Sequence, residues 1–218
     1  MFGFLKNMFG SNDAANSTRK LSHPRDLRAG DIIKLPFLKQ SDISGKQFEV
    51  SQVNTYFYDG LIYPEMVLKD NQGNIVYLMV EEEDGEECLA ISKKVGRSKI
   101  RKVIEQNDLD AVLAKGTGTT ISVASVPEEL DGWLAKTYTE TDDAVKGSFA
   151  KGDARDPSVQ NSNSKERFSS HTLIDDSDEY ALEIEVYGTN ELELSATIYL
   201  DINEIEEMWP AQKNNDHQ

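Results

Sequence analysis

Carboxylates are the most concentrated chemical groups in this sequence. Six acidic residues stand among the seven from Glu81 to Glu87, and four stand between Asp175 and Glu179. Carboxylate oxygens are the ligands that Ca²⁺ and Mg²⁺ prefer, yet neither cluster has the spacing of an EF-hand loop. We therefore interpret both clusters first as solvated turns, with a cation site as the alternative.

Two further glutamates are expected to face each other across a hairpin. Apolar residues alternate from Leu182 to Val186 and from Leu192 to Leu200, which predicts two paired strands. Pairing Val186 with Leu192 on the inner face would set Glu185 opposite Glu193 on the outer face. Like charges in that position repel. A cation or basic partner would relieve the repulsion, and solvation of both carboxylates is the simpler explanation.

A basic block from Lys93 to Lys102 follows the first acidic cluster. Its charge density suits a phosphate, but it has no interleaved aromatic residues and matches no nucleic-acid-binding motif. Pairing with acids of the chain or with solvent is favoured over a protein partner or nucleic acid. The side chains that would make such a contact are Arg97, Lys99, Arg101 and Lys102.

The sequence predicts no catalytic residue, no metal ligand and no cofactor. The segment 116–120 lacks the lysine of a phosphate-binding loop. His23, His171 and His217 are each isolated in polar sequence. Cys88 is expected in a strand beside carboxylates, which would raise the pKa of its thiol and make it a poor nucleophile. Whether the chain is an enzyme stays open, and a noncatalytic role is favoured.

Composition limits the partners and the compartment. The 218 residues carry a formal net charge of −16, so the summed field repels phosphate and makes nucleic acid an unlikely partner. A single cysteine allows no internal disulfide, and without a secretory signal a reducing cytoplasm is the expected location. No apolar run approaches the roughly 20 residues that a membrane span requires. We therefore expect no transmembrane segment.

The first ten residues have the pattern of a short amphipathic helix. The side chains that share one helical face are Met1, Phe4, Leu5, Met8 and Phe9. So short a helix is marginal alone in water. It would lie against its own domain, against a partner, or at a membrane interface.

Further along the chain, the patterns predict an α+β fold of mainly antiparallel sheets with a few short helices. A change of phase predicts a bulge near Ser51 and Gln52, and the spacing of Ile100, Val103 and Ile104 predicts a helix. Asp201 to Glu204 has the pattern of a capping box ahead of a helix that Pro210 ends. Residues 75–104 and 180–209 would then be two similar hairpin-helix units, by duplication or by chance.

These patterns divide the chain into five parts. They are an amphipathic segment (1–10), a linker (11–26), a β-rich subdomain (27–115), an α+β subdomain (116–210) and a disordered tail (211–218). Within the second subdomain, only seven of the thirty residues from Thr141 to Ser170 are apolar, so burial offers little to offset the entropy of ordering them. A mobile loop is expected at 141–170.

Three segments resemble one family. The opening residues 1–10, the segment from Leu27 to Ile32 and the segment from Asp201 to Ile205 together are similar to the YjfK family of uncharacterised bacterial cytoplasmic proteins. The resemblance spans the full length, but its motifs are not specific. It implies association with PspA-like envelope-stress proteins and brings no catalytic residues.

The sequence thus favours a noncatalytic interaction protein, acting in the cytoplasm or at the periphery of the inner membrane as part of a stress response. The expected partner contacts are Phe4, Leu5, Met8, Phe9, Arg97, Lys99, Arg101 and Lys102. A metal-dependent hydrolase with Asp and Glu ligands is the alternative. Nucleic-acid binding through the basic block is a weaker one.

Overall fold

Long antiparallel strands dominate the part of the chain that the computed structural model describes, residues 19–211 except 84, 115, 117, 163 and 190. In chain order the strands are β1 (Ile32–Lys34), β2 (Gln47–Tyr58), β3 (Leu61–Lys69), β4 (Ile75–Glu83), β5 (Glu86–Val95), β6 (Thr120–Ser122), β7 (Thr137–Lys151), β8 (Glu166–Ile174), β9 (Tyr180–Tyr187), β10 (Glu191–Asp201) and β11 (Glu207–Trp209).

Helices are few and short. The α-helices within the described residues are α1 (Arg97–Val103), α2 (Gln106–Leu113) and α3 (Pro157–Gln160), and 3₁₀ turns form at Pro24–Asp26 and Glu128–Leu130. Helix makes up 13% of the structure, so the predicted α+β class is wrong and the protein is mostly β. No helix in the described range has the length or apolar character to cross a membrane.

Eight of the strands close into an antiparallel barrel. Neighbours follow the order β2, β3, β4, β5, β10, β9, β8 and β7, and β7 pairs back onto β2 from Asn54↔Lys151 to Tyr58↔Gly147. β1 and β11 extend the sheet beyond β2, and β6 pairs with β7. Closure requires β2 to pair with both β3 and β7, and local sequence patterns do not reveal that long-range pairing.

Two local predictions are confirmed. The β2–β3 register shifts between Val50 and Gln52, where the change of apolar phase had predicted a bulge. α1 buries Ile100 and Val103, as their spacing had predicted.

The predicted helix after Asp201 is wrong. The Asp201 carboxylate accepts a hydrogen bond from the backbone N–H of Asn203 at 2.8 Å, which closes a turn instead of a helical first turn. β11 follows and pairs with β1. No helix follows the second hairpin in residues 202–211, where one was expected, so the expectation of two hairpin-helix units is also wrong.

The stretch 141–170 consists largely of strand where a loop was expected. Residues 141–151 complete β7, and 166–170 begin β8. Strands from both predicted subdomains enter the same barrel, β2 to β5 from 27–115 and β7 to β10 from 116–210. The amphipathic segment 1–10 lies outside the described residues, as do 11–18 of the linker and 212–218 of the tail.

The hydrophobic core lies on the outer face of the barrel. Outward side chains of β3, β4, β5, β9 and β10 pack beneath α1, α2 and the loops before β2 and β7. Fully buried members from these layers include Leu35, Leu78, Ile91, Val103, Val112, Trp133, Leu182 and Leu194. Because the apolar side chains of these strands point outward, the inner face of the barrel carries polar and aromatic side chains.

Candidate functional site

A contact across the barrel identifies the inner face. The Tyr56 hydroxyl on β2 lies 3.4 Å from a carboxylate oxygen of Glu185 on β9, although β7 and β8 separate these strands around the barrel. Tyr56 also meets Phe168 of β8 edge to face, with ring centroids 5.6 Å apart. The side chains that alternate with the apolar outer residues therefore project into a shared lumen.

Five carboxylates from four strands project into this lumen. We name them the lumen carboxylates: Glu65 of β3, Glu81 of β4, Glu183 and Glu185 of β9, and Glu193 of β10. Neutral donors hold the three deepest. Asn54 donates to Glu65 at 2.8 Å, Thr197 donates to Glu183 at 3.0 Å, and Tyr187 donates to Glu185 at 2.8 Å.

Aromatic rings form much of the lumen wall. Tyr58 and Phe168 meet edge to face at 5.5 Å, and Phe168 lies 5.3 Å from Tyr187. Tyr56 stacks on Tyr58 and tilts against Phe149. Close packing at Gly147 makes room for these rings, because an added Cβ there would lie 2.5 Å from Phe168 and 2.9 Å from Tyr58.

Burial perturbs the acids of the lumen. Desolvation, reinforced by neighbouring carboxylates, raises the pKa of Glu65 to about 7 and that of Glu183 to about 8. Desolvation also raises the pKa of Glu185. Lys94, which binds Glu193 at 2.6 Å and lies over the Tyr77 ring, acts against the shifts of Glu65 and Glu185.

Space open to water remains beside these groups. The strands enclose Glu183, yet its side chain and those of Glu185 and Tyr58 keep part of their accessible surface. At the end of the barrel where β9 turns into β10, Tyr187 also lines a surface depression of about 770 Å³ together with Arg97 and Arg167.

The predicted pairing of the second hairpin is confirmed, but its faces are reversed. Val186 pairs with Leu192 and Glu185 pairs with Glu193. The sequence had placed the two glutamates on the solvated outer face, whereas they line the lumen. Alternation identifies two faces of a strand without showing which one the closed barrel encloses.

A second cluster of ligand-type side chains lies on the outer side of β7 and β8. We name Glu140, Asp143 and His171 the outer triad; one ligand atom from each falls within 4.8 Å of the others. Nδ1 of His171 lies 3.1 Å from Glu140 Oε1 and 3.6 Å from Asp143 Oδ1. Sequence analysis missed this cluster, because His171 is isolated along the chain and its partners are about 30 residues away.

The predicted acidic clusters form ordinary turns and ion pairs. Glu87 binds His23 and Arg25, each at 2.9 Å. Asp175 accepts from the backbone N–H groups of Ser177 and Tyr180. Among the described side chains of the first cluster, that of Glu81 contributes to the lumen.

The basic block pairs with acids distant in sequence. Arg97 binds Glu191, and Lys99 binds Glu129. Arg101 and Lys102 are exposed on α1. The other predicted partner contacts, Phe4, Leu5, Met8 and Phe9, lie outside the described residues.

Comparisons with protein-family models, with curated proteins and with solved structures found no match to this chain. The resemblance to the YjfK family stays a prediction.

Proposed function

We propose that this chain is a noncatalytic binding protein whose barrel lumen takes a small organic cation of the polyamine class. The observation that carries the proposal is the enclosure of Glu65, Glu183 and Glu185 among aromatic rings. Enclosed carboxylates are costly unless paired, and an ammonium group is attracted both to carboxylates and to aromatic faces. A polyamine would supply the missing positive charge.

The balance of charge supports this choice of ligand. Among Glu65, Glu183, Glu185 and Glu193, the described cationic contact is that of Lys94 with Glu193. Glu183 accepts its hydrogen bond from the neutral hydroxyl of Thr197. The lumen therefore has an excess of potential negative charge.

The wall chemistry supports an organic cation over a bare metal ion. Hard metal ions require several oxygen ligands converging on one point. Here Glu65 lies on β3 and Glu183 and Glu185 lie on β9, and each accepts from its own protein donor. The rings of Tyr56 and Phe168 line the same lumen. The methylene groups of a polyamine can pack on such rings while its ammonium groups reach separate carboxylates.

Calorimetric titration with spermidine at pH 8.5 and at pH 6 tests the proposal. The raised pKa values of Glu65 and Glu183 mean that more of the lumen carboxylates are ionised at the higher pH. Spermidine should therefore bind more tightly at pH 8.5. An uncharged diol of similar chain length should give no heat, because it has no charge to pair with the lumen.

Variants locate the binding. The double variant Glu183→Gln with Glu185→Gln keeps side-chain shape and removes two charges, and it should weaken spermidine binding by about tenfold or more, about 1.4 kcal/mol. Exposed Glu204→Gln is the matched control and should bind like the unmodified chain. Absence of spermidine binding at both pH values, or equal binding by the double variant and the control, would contradict the proposal.

A further inference from the structure

A separate site lies outside the lumen, at the outer triad of Glu140, Asp143 and His171. We infer that these three side chains bind a divalent transition-metal ion. The inference is independent of the polyamine proposal, because the triad lies on the opposite face of the sheet from the lumen carboxylates.

An irregularity in the backbone of β7 brings the carboxylates of Glu140 and Asp143 to the same side of the strand. In a regular strand, residues three apart project to opposite faces. The β7–β8 register shifts twice, between Glu140 and Asp142 and between Asp142 and Val145. Ala144, which lies within the second shift, has a φ of 51°. The irregularity lets Glu140 and Asp143 converge on one histidine of the neighbouring strand.

Two oxygens of this cluster have no hydrogen-bond partner among the described residues. The side chain of Glu140 is fully buried, and its Oε2 has no hydrogen-bond partner among the described residues. Oδ1 of Asp143 is also buried and has none. A buried carboxylate oxygen without a donor is costly, and a bound cation would satisfy both oxygens at once.

The donor set favours a transition metal over Mg²⁺ or Ca²⁺. An imidazole nitrogen suits Zn²⁺, Fe²⁺, Co²⁺ and Ni²⁺, whereas Mg²⁺ and Ca²⁺ select oxygen ligands alone. The backbone N–H of Gly116 donates to the other Asp143 oxygen, Oδ2, at 3.0 Å and so orients Oδ1 toward the site. Three protein ligands of this kind leave a coordination position for water or another molecule.

Titration of the metal-stripped chain with Co²⁺ tests the inference, because the visible absorption of bound Co²⁺ reports on its ligands. We expect about one Co²⁺ per chain, displaced by Zn²⁺ and not by Mg²⁺. Asp143→Asn should weaken Co²⁺ binding by about tenfold or more. Asp142→Asn changes the adjacent exposed aspartate, which is not part of the triad, and should bind like the unmodified chain.

Two further variants separate this site from the lumen and from folding. Glu183→Gln with Glu185→Gln should leave Co²⁺ binding unchanged, and Asp143→Asn should leave spermidine binding unchanged. Asp143 is partly accessible, so its variant should fold even where a His171 variant does not. Absence of a Co²⁺ spectrum, or equal affinities for Asp143→Asn and Asp142→Asn, would overturn the inference.

Discussion

The lumen and the outer triad bury carboxylates in contrasting ways. In the lumen, Glu65, Glu183 and Glu185 accept hydrogen bonds from an amide and two hydroxyls. In the outer triad, Glu140 has a histidine on one oxygen and no hydrogen-bond partner on the other among the described residues. These three lumen acids thus each have a neutral donor, whereas two buried oxygens of the triad have no hydrogen-bond partner among the described residues.

This contrast predicts different responses to losing a single partner. Each lumen glutamate can be changed to glutamine and keep a hydrogen-bonding shape. His171 has no such substitute, because its ring nitrogen is the described side-chain group that lies against both Glu140 and Asp143. Stability should therefore depend strongly on His171 and less on any one lumen acid.

The largest expected effect is that of His171→Leu. Removing its ring leaves the buried side chain of Glu140 without its hydrogen-bond partner, which costs about 3 kcal/mol of unfolding free energy. Urea denaturation at pH 7 measures it. His23→Leu is the matched control, since His23 pairs with Glu87 at the partly exposed surface and caps a short turn, and its loss should cost about 1 kcal/mol. Equal losses of unfolding free energy in His171→Leu and His23→Leu would contradict the prediction that the buried histidine matters more for stability.

The lumen has its own steric prediction at Gly147. A Cβ there would lie 2.5 Å from the Phe168 ring, so Gly147→Ala must displace the rings that line the lumen. Overpacking of this kind costs about 1 to 3 kcal/mol. Gly96→Ala, where a Cβ meets no atom within 4 Å and φ is negative, is the control and should change stability little. A Gly147→Ala variant as stable as the control would show that the rings are loosely packed.

Sequence patterns predicted the local pairing of the lumen hairpin and missed the long-range pairing that closes the barrel. The pairing of Val186 with Leu192 followed from alternation within one hairpin. Alternation did not show which face of the sheet carries Glu185. That face depends on the pairing of β2 with β7, nearly a hundred residues away in sequence. The polar parts of β7 and β8, residues 141–151 and 166–170, were predicted as a loop, since the sequence did not reveal that the lumen tolerates polar residues.

The outer triad was beyond local analysis for a related reason. The residues 141–145, Thr-Asp-Asp-Ala-Val, give no apolar period, and the double register shift that brings Asp143 beside Glu140 has no sequence signature of its own. A histidine opposite such a polar interruption is the signal that could have suggested the site. It becomes informative only once β7 and β8 are known to pair.

The pH dependence of stability reports on the burial of the lumen acids. The pKa of Glu183 rises on folding from its usual 4.5 to about 8, so the folded state holds more protons than the unfolded state between these values. Stability from this group is fully present below pH 4.5 and is lost as pH rises toward 8, with a slope of at most about 1.4 kcal/mol per pH unit.

Glu183→Gln removes that titration, so the variant should lose less stability than the unmodified chain in urea denaturation between pH 5.5 and pH 8.5. Glu204→Gln should keep the original slope, because this carboxylate is exposed before and after unfolding. Spermidine at pH 8.5 should restore stability to the unmodified chain and not to the double variant of Glu183 and Glu185, since a bound cation replaces the proton that the lumen loses. An unchanged pH slope in Glu183→Gln would mean that this carboxylate is already solvated in the folded protein, and the lumen would then have no need of a cation.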